Sequence, residues 1–136
     1  MDLAEIIKTY TQKALEHYGD SATKKFYEFL SKREFKTTKC KKCEKPFFPP
    51  RPFCPNCLEE EIEWIDMPKK GKLYAFTQQE RSLRFGKPDV IGIVELEGIG
   101  KILTRINAPF ESLKIGMELN LDFIDIGGLV LHQFSP

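Results

Sequence analysis

Positions 40–57 of the chain read CKKCEKPFFPPRPFCPNC. Cys40-Lys41-Lys42-Cys43 and Cys54-Pro55-Asn56-Cys57 are two CxxC pairs with ten residues between them. Each CxxC can fold as a knuckle whose two sulfurs point to one side. A hairpin that joins two knuckles then gives a tetrahedral cage of four sulfurs. Thiolates are soft donors that suit zinc, and four of them leave no position for water or substrate, so such a site is structural. Iron takes the same ligands in a rubredoxin-like cage and remains open at this point. A disulfide framework needs an oxidising compartment, and a redox CxxC normally stands alone beside a βαβ pattern. The expectation is a structural metal ion, zinc ahead of iron, on Cys40, Cys43, Cys54 and Cys57.

Around this segment the local grammar changes twice. Upstream, Leu3, Ile6, Ile7, Tyr10, Ala14, Leu15 and Tyr18 recur at three- and four-residue steps, which predicts an amphipathic helix over 2–18. Asp2 with Glu5 suits its start and Gly19 its stop. A second helix is expected from Asp20 or Ser21, with Phe26, Phe29 and Leu30 on one side. These apolar stripes either pack on their own fold or meet a partner protein; periodicity does not separate the two. Between the knuckles, Phe47-Phe48-Pro49-Pro50 and Arg51-Pro52-Phe53 are stiff and non-helical. Ile62-Glu63-Trp64-Ile65 reads as a short strand leaving them.

Downstream, five strands are expected at about 71–80, 89–97, 101–107, 117–125 and 128–134. The fourth alternates most clearly: Met117, Leu119, Leu121 and Phe123 on one face, Glu118, Asn120 and Asp122 on the other. The segment 107–113 has room for one short helical turn. Five short strands, interrupted between the third and fourth, suit a small closed barrel of the OB type, with an SH3-like barrel as competitor. The Met67–Gly71 corner is the plausible linker. The predicted fold is mainly β with N-terminal helices: a helical segment over 1–34, a rubredoxin-like zinc ribbon over 35–66, and a five-stranded OB barrel over 67–136.

Composition narrows the function. The chain has 136 residues, 41% hydrophobic and 30% charged, which is a globular balance. Its longest apolar runs, such as Val90–Val94, are too short to span a bilayer. The start lacks the features of a secretory signal, so a cytoplasmic location is expected. A formal net charge of +1 argues against a protein that mainly grips a phosphate backbone. With four cysteines on metal, no thiol remains as a nucleophile. His17 and His132 have no evident nucleophile or orienting acid beside them, and Asp122 and Asp125 read as solvated. Phosphate-cradling glycine motifs are absent. The chain reads as a non-enzyme. One alternative is a zinc-ribbon/OB module that binds single-stranded nucleic acid. Against it, the expected second and third strands carry no aromatic residue for bases to stack on, and Tyr74 and Phe76 on the first read more easily as core.

The order of motifs also carries a resemblance. A helical pair, the two CxxC pairs with FFPPRPFCPNC, then EWI, GKLYAFT, VIGIVELEG, LKIGMELNLDF and a closing FSP are similar to a zinc-ribbon plus OB-fold family of the domain-of-unknown-function kind, whose members accompany thiolases. The resemblance covers nearly the whole chain. Cys40, Cys43, Cys54 and Cys57 match the family's metal ligands, and Pro50, Arg51 and Pro52 its proline–arginine stretch. Leu58 stands where many relatives have glycine, which is expected to alter the knuckle turn and not the ligation. The resemblance implies a non-catalytic accessory subunit. It would bind acyl-CoA or bridge a thiolase-like acyltransferase to a partner such as hydroxymethylglutaryl-CoA synthase. Arg51, Arg81, Arg84 and Lys87 are the candidate contacts for CoA phosphates, with Phe85 among them. The same basic cluster would serve nucleic acid.

Overall fold

The computed structural model describes residues 5, 6, 8, 9, 22–81 and 88–136. Glu5, Ile6, Lys8 and Thr9 are helical; the remainder of the helix expected over 2–18 lies outside the described residues, as does its Gly19 stop. Helix α1 (Ala22–Ser31) follows. Ala22, Phe26 and Leu30 are its buried residues, and their four-residue spacing places them on one face. That face packs on the chain's own barrel, which answers for α1 the question its stripe left open. The helix ends without glycine. Arg33 takes the left-handed conformation (φ 62°), and the Glu34 N–H returns to the Phe29 carbonyl at 3.0 Å. This reversal drives Phe35 into the core.

The cysteine region is a three-stranded antiparallel sheet. Strand β1 (Lys36–Cys40) lies between β2 (Pro46–Phe47) and β3 (Ile62–Asp66). The barrel follows: β4 (Lys70–Gln79), β5 (Asp89–Leu96), β6 (Gly100–Ile106), β7 (Glu118–Ile126) and β8 (Leu129–Ser135). It closes in the order β4-β5-β6-β8-β7, with β7 returning to β4. The β6–β8 pair is parallel and the others are antiparallel. A 3-10 turn at Phe110–Ser112 fills the interruption before β7. This closed five-strand order is that of an OB barrel.

Leu73, Val94, Leu96, Ile106, Leu119 and Phe134 fill the interior and are almost wholly buried. Strands β4 and β5 approach closely at Gly71, where an added Cβ would lie 2.5 Å from Val94 Cγ1 and 2.7 Å from Leu96 Cδ2. A side chain there would force the two strands apart.

The Met67–Gly71 corner, expected as the linker, is held in place: Met67 is buried, its N–H donates to the Phe35 carbonyl at 2.9 Å, and Lys69 accepts from Leu121 N–H at 2.7 Å. Phe26, Leu30, Phe35 and Met67 belong to the same apolar cluster as the barrel interior, so helix, ribbon and barrel share one core. Tyr74 is not core: it is 51% exposed, with Lys101 Nζ 3.9 Å from its ring centre. Finally, the alternation of β7 fades after Asn120, because Asp122 and Ile124 on the outer face pair with Gln133 and Leu131 of β8 and are themselves half-buried.

Among the described residues no helix is long and apolar enough to cross a membrane.

Candidate metal centre and ligand groove

The two CxxC segments form matching turns. Glu44 N–H donates to the Cys40 carbonyl and Leu58 N–H to the Cys54 carbonyl, both at 2.8 Å. Each turn closes with a second bond, Cys40 N–H to Lys45 O at 3.2 Å and Cys54 N–H to Glu59 O at 2.9 Å. Glu44 (φ 57°) and Leu58 (φ 63°) both adopt the left-handed conformation that ends the turn. Leucine thus holds the same turn as Glu44 of the first knuckle, in a conformation bulky residues disfavour.

These turns bring the four sulfurs within 4.8 Å of one another, and Cys40 Sγ lies 3.6 Å from Cys57 Sγ. A tetrahedron with zinc–sulfur bonds of about 2.3 Å has edges of roughly 3.8 Å, so the cluster has the dimensions of a tetrathiolate cage. None of the four is in a disulfide. Cys40 and Cys54 are buried, Cys43 and Cys57 half-buried. Polar hydrogens already point at the sulfurs: Cys43 N–H to Cys40 Sγ at 3.3 Å, Asn56 N–H to Cys54 Sγ at 3.4 Å, and the Asn56 amide to Cys43 Sγ at 3.6 Å. Such donors stabilise thiolates.

The electrostatics without a cation are strained. The Cys57 N–H, outweighing burial and helped by Asn56 N–H and the thiols of Cys57 and Cys40, lowers the Cys54 pKa to about 7. At Cys57 the Glu59 N–H acts in the lowering direction, but burial and the neighbouring sulfurs of Cys43, Cys40 and Cys54 win and push it up to about 12. Thiolates this close repel one another, and a dication removes the conflict. The donor set thus fits zinc, with no vacant coordination position for chemistry.

Two residues that sequence reasoning passed over hold the ribbon together. Thr37 and Thr38 are wholly buried on β1. Thr37 Oγ1 donates to the Phe47 carbonyl at 2.5 Å, and Thr38 Oγ1 accepts from Arg51 N–H at 3.1 Å. They tie the proline-rich loop to the strand that ends in Cys40. A polar pair next to the first ligand was the available signal.

The candidate phosphate contacts fare unevenly. Arg51 is exposed in the ribbon loop, and Arg81 is exposed at the end of β4. Arg84 and Lys87, with Phe85, lie outside the described residues. Arg81 lines a groove of about 530 Å³ together with Phe26, Tyr27, Leu103, Arg105 and His132; Arg51 does not. A groove of this size suits a small organic ligand. His17 lies outside the described residues. His132 is half-buried, stacked on Phe35 (4.7 Å between ring centres, 22°), with Nδ1 2.8 Å from Thr104 Oγ1. Asp125 Oδ1 accepts from Gly128 N–H at 2.7 Å and so closes the β7–β8 turn. Asp122 is half-buried. It ends a polar ladder across four strands: Arg105 Nε donates to Asp89 Oδ1 at 2.8 Å, an Arg105 terminal N–H to Gln133 Oε1 at 2.5 Å, and Gln133 Nε2 to Asp122 Oδ2 at 2.7 Å.

Fold and site together define a zinc-ribbon protein with an OB barrel built onto the ribbon. Residues 28–63 match the ChsH2 rubredoxin-like zinc ribbon domain, and residues 64–123 match the ChsH2 C-terminal OB-fold domain. A DUF35 domain-containing scaffold protein of Pyrococcus furiosus is 30% identical over 106 residues, 69% of this chain and 77% of that one. The chain belongs to the DUF35 family. A DUF35 domain-containing scaffold protein of Methanocaldococcus jannaschii is 33% identical over 90 residues, covering 62% of this chain and 64% of that relative, a little under two thirds of its length. A shorter match, 44% over 39 residues, joins 29% of this chain to 27% of the benzoylsuccinyl-CoA thiolase subunit BbsA of Thauera aromatica. Among solved structures, an Ltp2-ChsH2(DUF35) aldolase superposes with a TM-score of 0.73 at 24% identity, over 82% of this chain and 91% of that one. A DUF35-family protein of unknown function from Sulfolobus solfataricus gives 0.63 at 18% identity, over 99% and 97%. At these identities the two structures show a common fold.

Proposed function

We propose that this chain is a non-catalytic accessory subunit of an acyl-CoA-processing enzyme complex. It binds acyl-CoA, or bridges a thiolase-type enzyme to a second enzyme such as hydroxymethylglutaryl-CoA synthase. The observation that carries this reading is the kinship, at 30% and 33% identity, with two proteins named as scaffolds. The local match to a thiolase subunit supports the acyl-CoA side. In this reading Cys40, Cys43, Cys54 and Cys57 hold one structural zinc ion, which cross-links the two knuckles and supplies no reaction chemistry. Arg81, with Arg84 and Lys87 following it in sequence, meets the anionic end of CoA, and Arg51 supplies a further cation beside the ribbon. The groove beneath Arg81 takes part of the slim organic arm.

The nucleic-acid alternative gains one exposed aromatic, Tyr74, but Lys101 covers a face on which a base would stack. The test is affinity purification of tagged chain from its native host, with and without nuclease treatment, followed by mass spectrometry. Stoichiometric recovery of an acyl-CoA condensing enzyme in both arms is expected. Recovery of nuclease-sensitive RNA or DNA without such an enzyme would overturn the reading.

A further inference from the structure

The two knuckles share a backbone pattern yet show solvent different chemistry. Counting from the first cysteine of each, Lys39, Lys41 and Glu44 of the first knuckle correspond to Phe53, Pro55 and Leu58 of the second. Phe53 is 39% exposed and Leu58 is 69% exposed. They flank one turn, because the Cys54 N–H bond to Glu59 O joins the backbone on either side of it. Leu58 also occupies the left-handed region at φ 63°. Glycine adopts that conformation without strain, and a γ-branched side chain does not. Leucine at this exposure gains little from packing within the chain to offset the strain, and an exposed, strained apolar residue points to a use outside the chain.

The surroundings say what kind of surface would cover it. Glu59, Glu60, Glu61 and Glu63 follow directly and are exposed. Glu59 faces Lys42 at 3.6 Å. Among the described residues Glu60, Glu61 and Glu63 carry no ion pair. The acid lies on the C-terminal side of this apolar tip, with Arg51 preceding Phe53 in sequence and Lys42 beside Glu59, so the tip complements an apolar socket that is basic where it faces Glu60 and Glu61.

We propose that the second knuckle is the docking tip of this subunit: Phe53 and Leu58 enter an apolar socket on the partner enzyme, and Glu60 and Glu61 meet Lys or Arg side chains at its rim. The proposal rests on the accessory-subunit reading and names the face that does the bridging. Apolar anchors at the centre of an interface carry much of its affinity, and rim charges steer it.

The test compares full-length wild type with Leu58→Gly, Phe53→Lys and Glu60→Lys/Glu61→Lys. Zinc content, thermal midpoint, oligomeric state and the amount of condensing enzyme retained are measured for each. Leu58→Gly is expected to keep its zinc and to melt at or above the wild-type temperature, yet to retain about tenfold less enzyme. A residue with only a structural role would not split stability from binding in this way. Phe53→Lys, which installs the residue type of the first knuckle, is expected to lose retention likewise, and decides the matter should Leu58→Gly fold poorly. The charge reversal is expected to slow association and reduce its salt sensitivity. Retention unchanged in Leu58→Gly and Phe53→Lys would overturn the docking tip and leave the accessory reading standing. A wild type that retains no condensing enzyme would overturn both. A wild-type dimer that Leu58→Gly turns into monomer would overturn the proposal by making a second copy the occupant.

Discussion

Asp89 is 5% exposed on the outside of a barrel, a place where a carboxylate normally sits in water. It is held there by Arg105, itself 20% exposed, through a charge-assisted bond of 2.8 Å. Gln133 and Asp122 continue the ladder, and among the described residues no buried side-chain nitrogen or oxygen lacks a partner. Breaking one side of a buried pair costs more than the pair contributes, because the orphaned charge stays desolvated. Arg105→Met is therefore expected to lower the unfolding free energy by about 3 kcal/mol in urea denaturation, and the double change Arg105→Met/Asp89→Leu to recover most of that loss. A loss below about 0.5 kcal/mol in the single variant would mean the pair is effectively solvated. The ladder was not legible in the sequence, since its members come from four strands whose mutual register no local pattern encodes. The four cysteines were legible because each knuckle is a local motif. Leu58 was legible as a departure, but its cost was not: a backbone angle cannot be read from a residue name.

The five barrel strands begin and end within one residue of where alternation and turn residues placed them. The short helical turn before β7 also forms where it was expected. What failed was the assumption that the outer face of β7 meets water. That face is partly covered by its partners on β8, and cover of this kind is a tertiary property. The end of α1 was equally hidden, since Arg33 takes a conformation usually given to glycine. The ribbon sheet has one five-residue central strand, a two-residue edge and a five-residue edge, too little to bury a core of its own. Zinc binding contributes about 10–16 kcal/mol in small ribbons and replaces that missing core. Removing the metal with a strong chelator is expected to abolish amide protection in β1 and β3 first, while β5 and β6 stay protected in hydrogen exchange. Uniform loss across both sheets would contradict this. Protons compete for the same thiolates. Because the Cys54 pKa is held below the usual thiol value, its anionic form is present above about pH 7 and is lost as pH falls through it, so zinc capture by metal-free protein slows in the same direction.

Over the whole molecule, α1, the ribbon and the barrel meet in one cluster in which Phe26, Phe35 and Met67 touch the barrel interior. The metal centre is thus joined through β1 and Phe35 to the barrel that carries the groove. A net charge of +1 and an acidic run beside the second knuckle suit a protein that works against other proteins better than one that coats nucleic acid. The class of fold was visible from motif order, whereas the shared core was not, because Met67 read as part of a linker and no local pattern marked Phe35 as core. The most direct measurement is acyl-CoA turnover by the co-purifying condensing enzyme, assayed alone, with this chain at equal stoichiometry, and beside the chain by itself. The account predicts full turnover only in the mixture, a raised KM for acyl-CoA or lost turnover in the enzyme alone, and none in the chain alone. Equal turnover and equal KM with and without the chain would contradict it.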